Sequence, residues 1–322
     1  MTEDGSIAPC WNASSFAFHD YHFVLDDASL RELLRMTNEI GTSADYRIAD
    51  AAYKRSSLSL TIARLRSQYL DGYPGFITFA GFDRLPEAQW KPVFRTLSLC
   101  FGSLCPQDGK GLEIKDVRDR GTAIGEGKSS RYSDSRTGGS LHTDGAESPP
   151  PGPDYFALLC VVRAKKGGAM QMIDVNSVIQ RLSSAAPSAL QTLRQPFHFD
   201  RRGELSPSGE KTVSKPVIFK LGGFDCATYL REYINAGHAH HDIPDLTAEQ
   251  IASLDALDEV ICTPSLQVEG YLNSSEAIIV NNRRILHGRT AFEDDTCSGR
   301  KRLLLRTWIR SYPNDNPADG GT

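Results

Sequence analysis

The chain has 322 residues and a formal net charge of −4, with 40% hydrophobic and 24% charged residues. That length can bury a sizeable core, and the modest charge excludes disorder of the bulk. No apolar run reaches the roughly 18–20 residues of a membrane span, and the slightly acidic balance argues against a nucleic-acid partner held by phosphate contacts.

The N-terminal stretch MTEDGSIAPCWNASS is polar and carries no apolar leader core. The spacing of apolar residues predicts helices over 26–40, capped by Asp26 or Asp27, and over 56–71. The run 75–80 reads as a strand, and 86–101 as a third helix. Residues 111–139 are rich in Gly, Ser, Arg and Asp and read as strands joined by loops. Pro149-Pro150-Pro151-Gly152-Pro153 is a rigid turn that no element can cross. The continuous apolar run 155–162 has buried-strand length. Past the Gly167-Gly168 turn, 169–175 reads as another strand and 176–193 as one helix. The polar, loop-rich stretch 197–245 is expected to be a lid insert. A helix over 247–260 and strands over 277–280 and 302–309 complete the pattern, and the tail 313–322 is expected to be disordered. The sum is an α+β chain built as a single domain. A helical part, 1–110, packs on a β-sandwich or jelly-roll core over 111–312.

The seven cysteines are odd in number and scattered, with no CxxC pair. This points to a reducing, cytoplasmic setting rather than a disulfide framework.

Three features converge on chemistry. In His142-Thr143-Asp144, residues i and i+2 of a strand present an imidazole and a carboxylate on one face. His287 follows an apolar strand far downstream. Two histidines and one carboxylate can occupy one face of an octahedral Fe(II) and leave the others open. Arg302 and Arg306 form a basic pair near the end, and an arginine at the base of a pocket can grip a carboxylate with a bidentate fork. Each feature alone is common by chance: a His-X-Asp triplet, a core histidine, two arginines on a solvated face. Their order and joint presence are not.

On these residues the chain resembles the Fe(II)/2-oxoglutarate-dependent oxygenases of the taurine dioxygenase and clavaminate synthase-like superfamily, over roughly 70–312. The carriers are the His142 triplet followed by Pro153-Asp154-Tyr155, the block from Asn281 to Phe292, and the block from Gly299 to Trp308. The resemblance implies a double-stranded β-helix core, iron on His142, Asp144 and His287, and O2 as co-reactant. It also implies 2-oxoglutarate with its 5-carboxylate on Arg302, and Arg306 near its 1-carboxylate or the substrate. Met170 takes the place of a threonine that often binds the 5-carboxylate in this family, and a thioether offers no donor. The implied reaction is oxidation, first of all hydroxylation, of a small polar metabolite: an amino acid or an amino-acid-derived natural-product intermediate. A sulfonate or phosphonate is the second choice. A non-catalytic ligand-binding jelly roll and a zinc hydrolase are the rivals.

For the substrate, Arg231 is read as gripping an acidic or polar group, with a structural ion pair as its plainer role. Glu147 is read as facing substrate or solvent. His238-Ala239-His240-His241-Asp242 is weighed as a second metal site against a polar lid tip. No nucleic-acid or membrane partner is expected.

Overall fold

Asp26 caps the first helix: its side chain accepts from the Ser29 N–H at 2.8 Å. Strand β1 (His22–Val24) precedes it, and in α1 (Asp27–Ile40) Leu30, Leu33, Met36 and Ile40 turn one buried face inward. The computed structural model describes residues 11, 17–121, 132–150, 152–203, 209–295 and 299–312, so the expectation for the tail 313–322 lies outside the described residues. A helix not expected from sequence, α2 (Tyr46–Lys54), is capped by Asp45. The helix expected over 56–71 is shorter: α3 (Ser59–Leu65) widens into a π-helical turn at Arg66–Leu70. It ends where Gly72 passes so close to Gln68 that a Cβ would lie 2.2 Å from that carbonyl oxygen. There follow β2 (Phe76–Ala80), α4 (Glu87–Leu99), β3 (Ser103–Cys105), β4 (Ile114–Val117), β5 (Gly139–His142), β6 (Tyr155–Val162), β7 (Lys166–Gly167) and β8 (Met170–Asp174).

The single helix expected over 176–193 is two, α5 (Val175–Ala185) and α6 (Pro187–Leu193). Pro187 has no N–H to continue the ladder and holds Ala186 out of the helical region, at φ −149° and ψ 66°.

The expectation of a polar lid over 197–245 is corrected. The stretch folds into β9 (Pro196–Asp200), β10 (Thr212–Pro216), β11 (Ile218–Leu221), β12 (Phe224–Ala227) and α7 (Arg231–His238). Phe197, Phe199, Val217, Ile218, Tyr229 and Ile234 are fully buried there. With α5, α6 and α8 (Ala248–Ile261) they form one hydrophobic core, which packs Leu141, Ile173 and Leu286. Removing these apolar side chains from water holds the insert in place, so it is an integral wall.

The chain closes with β13 (Val268–Gly270), β14 (Ala277–Asn281), β15 (Ile285–Arg289), β16 (Phe292–Glu293) and β17 (Leu303–Arg310). The larger sheet runs β1-β2-β14-β6-β17-β3, with β4 also paired to β17. The smaller runs β13-β8-β15-β5, antiparallel throughout. The period-2 alternation of side chains fixes which face each residue serves. In β14, Ala277 and Ile279 pack against the N-terminal helices, whereas Ile278 and Val280 face the other sheet. In β17, Leu305 and Ile309 face the helices, while Leu304 and Trp308 face inward beside Phe156, Met172 and Ile285. Two sheets thus enclose a core between them, each with its outer face covered by helices, which is the expected α+β layering.

Candidate metal centre and cleft

His142 and His287 are brought together by strand register. β5 pairs antiparallel with β15, and His142 lies directly opposite His287. The two imidazole centroids are 4.6 Å apart. β5 ends at His142, so Asp144 stands in the turn just beyond the strand rather than within it. Asn282 pins that turn, accepting from the Asp144 N–H at 2.8 Å and donating to the Asp144 carbonyl at 2.9 Å. Thr143 points the other way and is bonded to the Tyr229 backbone through its N–H and its hydroxyl, at 2.8 and 2.9 Å. The Asp144 carboxylate lies 3.9 Å from His142 Nε2 and 4.0 Å from His287 Nε2.

The electrostatics prepare three ligating atoms. Burial alone would raise the Asp144 pKa. The Arg306 guanidinium, then His287, His142 and the Trp308 N–H, outweigh it and hold the carboxyl below its usual range. Arg306 Nη1 donates to one carboxylate oxygen at 2.7 Å and Trp308 Nε1 to the other at 2.9 Å. Burial, with His142 beside it, pulls His287 down to about 3, so its imidazole is neutral. The His287 ring stacks on Phe156 with centroids 4.0 Å apart. His142 Nδ1 lies 2.9 Å from the Ser140 carbonyl, which fixes Nε2 toward Asp144. Two nitrogens and one carboxylate oxygen within 4.8 Å of one another fit the facial donor set of a non-heme Fe(II). Among the described residues, this is the one group of three or more His, Cys, Asp or Glu side chains able to hold a metal.

A cleft opens from His142 and His287 toward Arg302, past Met170, Gly168 and Arg306. Arg302 is 6% exposed, and its Nη1 is buried with no hydrogen-bond partner. Burial draws its pKa down to about 10, so it stays charged at neutral pH. A buried guanidinium donor of this kind calls for an anion. Met170 is buried beside it and brings no donor. Arg306 lines the same cleft, with Nη1 on Asp144 and Nε on Gln107 Oε1 at 2.8 Å.

A smaller hollow adjoining the cleft is lined by His142, Asp144, Glu147, Tyr132, Tyr233 and Arg306. Glu147 is 5% exposed there. Arg231 is not brought to the site: its guanidinium donates to Asp255 and Asp258, each at 2.8 Å. Of the two readings weighed for the His238 to Asp242 cluster, the metal site is not favoured by its bonding. His238 is bonded at both nitrogens, to Pro244 O and the His198 N–H, and His240 pairs with Asp200. Sequence reasoning assigned no role to Tyr132, Gln107, Asn282 or Trp308. The alternation Arg302, Leu304, Arg306, Trp308 along one strand face is the signal that could have found Trp308.

Residues 16–308 match the family described as taurine catabolism dioxygenase TauD, TfdA. Among curated proteins, FR-33289 synthase of Streptomyces rubellomurinus is 28% identical over 229 residues, covering 70% of this chain and 65% of that protein. Uridine-5′-phosphate dioxygenase of a Streptomyces species is 28% identical over 163 residues, covering 48% and 56%. Both matches span less than two thirds of the relative's own length. Among solved structures, asparagine oxygenase with Fe(II), 2S,3S-3-hydroxyasparagine and succinate aligns with a TM-score of 0.67 at 20% identity, over 93% of this chain and 98% of that one. The non-heme iron oxygenase OrfP with Fe and alpha-ketoglutaric acid aligns at 0.65 and 17%, over 91% and 95%.

Proposed function

This chain belongs to the TauD/TfdA dioxygenase family, and from that premise we propose that it oxidises a small polar metabolite using Fe(II), 2-oxoglutarate and O2. The observation that carries the reading is the neutral His287, the His142 imidazole and the ionised Asp144 converging near a buried arginine whose Nη1 has no hydrogen-bond partner. Iron bound there with 2-oxoglutarate and dioxygen supplies the oxidising power for attack on a C–H bond, with succinate and CO2 released.

The chain's own residues do the rest. His142, Asp144 and His287 hold the metal, and Arg306 and Trp308 keep the carboxylate ionised and oriented. Arg302 takes the distal carboxylate of the cosubstrate, and Met170 packs beside it without a hydrogen bond. The substrate enters the hollow bounded by Glu147, Tyr132 and Tyr233, so the insert walls the reacting carbon from water. The fold is the jelly-roll core of the family with this insert as its outer wall.

An amino acid or an amino-acid-derived intermediate is the favoured substrate class. Hydroxylated amino acids accompany the asparagine oxygenase and OrfP structures. A second reading, a small phosphonate, sulfonate or phosphate ester, is favoured by the curated relative whose name gives uridine 5′-phosphate. Turnover with a panel of both classes, reading succinate against oxidised product by mass spectrometry, tests the proposal. Equimolar succinate and product with one class supports it. No succinate with any substrate, in protein that retains iron, contradicts it.

A further inference from the structure

The three candidate ligands are not restrained alike. Asp144 is held at both carboxylate oxygens, and His287 sits on an inner strand against Phe156. His142 is on β5, the edge strand of its sheet, paired on one side only. Beyond the Ser140 carbonyl at its Nδ1, the His142 imidazole is supported by Tyr132. Its ring stacks on the His142 imidazole with centroids 5.7 Å apart and planes at 27°.

Tyr132 is itself seated from several directions. Gly139 makes room for it, since a Cβ there would come within 2.9 Å of the Tyr132 ring. The phenol oxygen meets Ser140 Oγ at 3.1 Å and donates to the carboxylate of Glu232, in the first turn of α7. Arg289, two residues beyond His287 on β15, donates from Nη2 to the Tyr132 carbonyl at 3.1 Å. β5, β15 and the insert therefore meet at one residue, which also lines both the cleft and the smaller hollow.

We propose that Tyr132 is a positioning residue: its ring seats the His142 imidazole, and its hydroxyl, held by Glu232, ties that imidazole to the insert. The proposal rests on the reading of His142 as a metal ligand. Partners of this outer kind fix the orientation of an imidazole and thereby its metal affinity.

The test is anaerobic titration of the metal-free full chain with Co(II), reading its visible d–d bands, on wild type, Tyr132→Phe, Tyr132→Leu, Glu232→Gln and the Tyr132→Phe/Glu232→Gln pair. Loss of the ring in Tyr132→Leu is expected to weaken Co(II) binding about ten-fold and alter the band shape. Loss of the phenol's bonds to Glu232 and Ser140 in Tyr132→Phe is expected to weaken it about three-fold, and Glu232→Gln, which leaves the phenol a neutral acceptor, by less. The double variant should be no weaker than Tyr132→Phe alone, because without the phenol the charge at Glu232 no longer acts on the imidazole. Wild-type Co(II) affinity and bands in Tyr132→Phe and Glu232→Gln, even with a lowered unfolding midpoint of the metal-free protein, overturn the proposal. A wild type that binds no Co(II) at all overturns the metal reading itself, which is a distinguishable result.

Discussion

The two sheets bring unlike things to the cleft. The smaller one carries the proposed metal ligands, which are the hydrogen-bond acceptors of the site: His142 and His287 face each other across β5 and β15, and Asp144 stands just after β5. The larger one carries the donors, Arg306 and Trp308 on β17, with Arg302 just before that strand. The acceptor sheet is covered by the insert and the donor sheet by the N-terminal helices. The proposed metal geometry therefore leans on the insert, whereas the proposed anion grip leans on β17, a long strand paired on both sides within a seven-stranded sheet.

Cutting the link between the sheets gives the largest effect. Asp144→Ala removes a metal ligand and leaves the Arg306 guanidinium buried without its partner. Oxidation should fall to background, and urea unfolding of the metal-free protein should show a loss of about 3 kcal/mol.

Loosening one outer cover at a time sharpens the comparison. Leu33→Ala under the larger sheet and Leu254→Ala under the smaller each empty a fully buried site, at a cost of about 2–5 kcal/mol. The account expects weakened metal affinity in Leu254→Ala alone, measured by Fe(II) titration at a temperature where both variants are folded. Equal metal affinity in the two would break the division of labour.

A smaller effect is the pH dependence of the acceptor sheet. The folded pKa of His287 lies near 3, below its unfolded value, so the unfolded chain binds the extra proton between about pH 6.5 and 3. The stability contributed by neutral His287 is complete above that window and is lost as pH falls through it, by up to about 1.4 kcal/mol per pH unit. The buried Asp174, raised to about 6, works in the opposite sense over part of this range. The informative quantity is therefore the difference between wild type and His287→Gln, both metal-free, in urea at pH 7, 6 and 5. That difference should shift against wild type as the pH drops.

The smallest effect belongs to Arg231. Its ion pairs run to half-exposed or exposed aspartates, so Arg231→Ala should cost about 0.5–1 kcal/mol and leave substrate KM unchanged in steady-state assays. A raised KM would return Arg231 to the substrate site.

The sequence made the site more legible than its surroundings. His142, Asp144, His287 and Arg302 stand in short stretches whose residue types are dictated by chemistry, and strand register then brings distant histidines face to face. The wall around them was harder to read. In the segment 197–245, buried residues such as Phe197 and Phe199 alternate with polar ones on short strands, and the Gly and Pro of its turns give it the texture of a loop. Its core exists only once α8 folds back against it. Tyr132 was illegible for a similar reason: its partners, Gly139, Glu232 and Arg289, are gathered by tertiary structure. The break at Pro187 needed only the rule that proline ends the ladder before it.

The smaller sheet is proposed to hold iron, and the larger sheet to hold 2-oxoglutarate against it. Anaerobic titration of Fe(II)-loaded protein with 2-oxoglutarate tests it directly, through the weak visible charge-transfer band of an iron–2-oxoglutarate chelate. The band is expected in wild type, is lost in His142→Ala, and appears in Arg302→Ala only at far higher 2-oxoglutarate. Iron bound by wild type with no band at any 2-oxoglutarate concentration would contradict it.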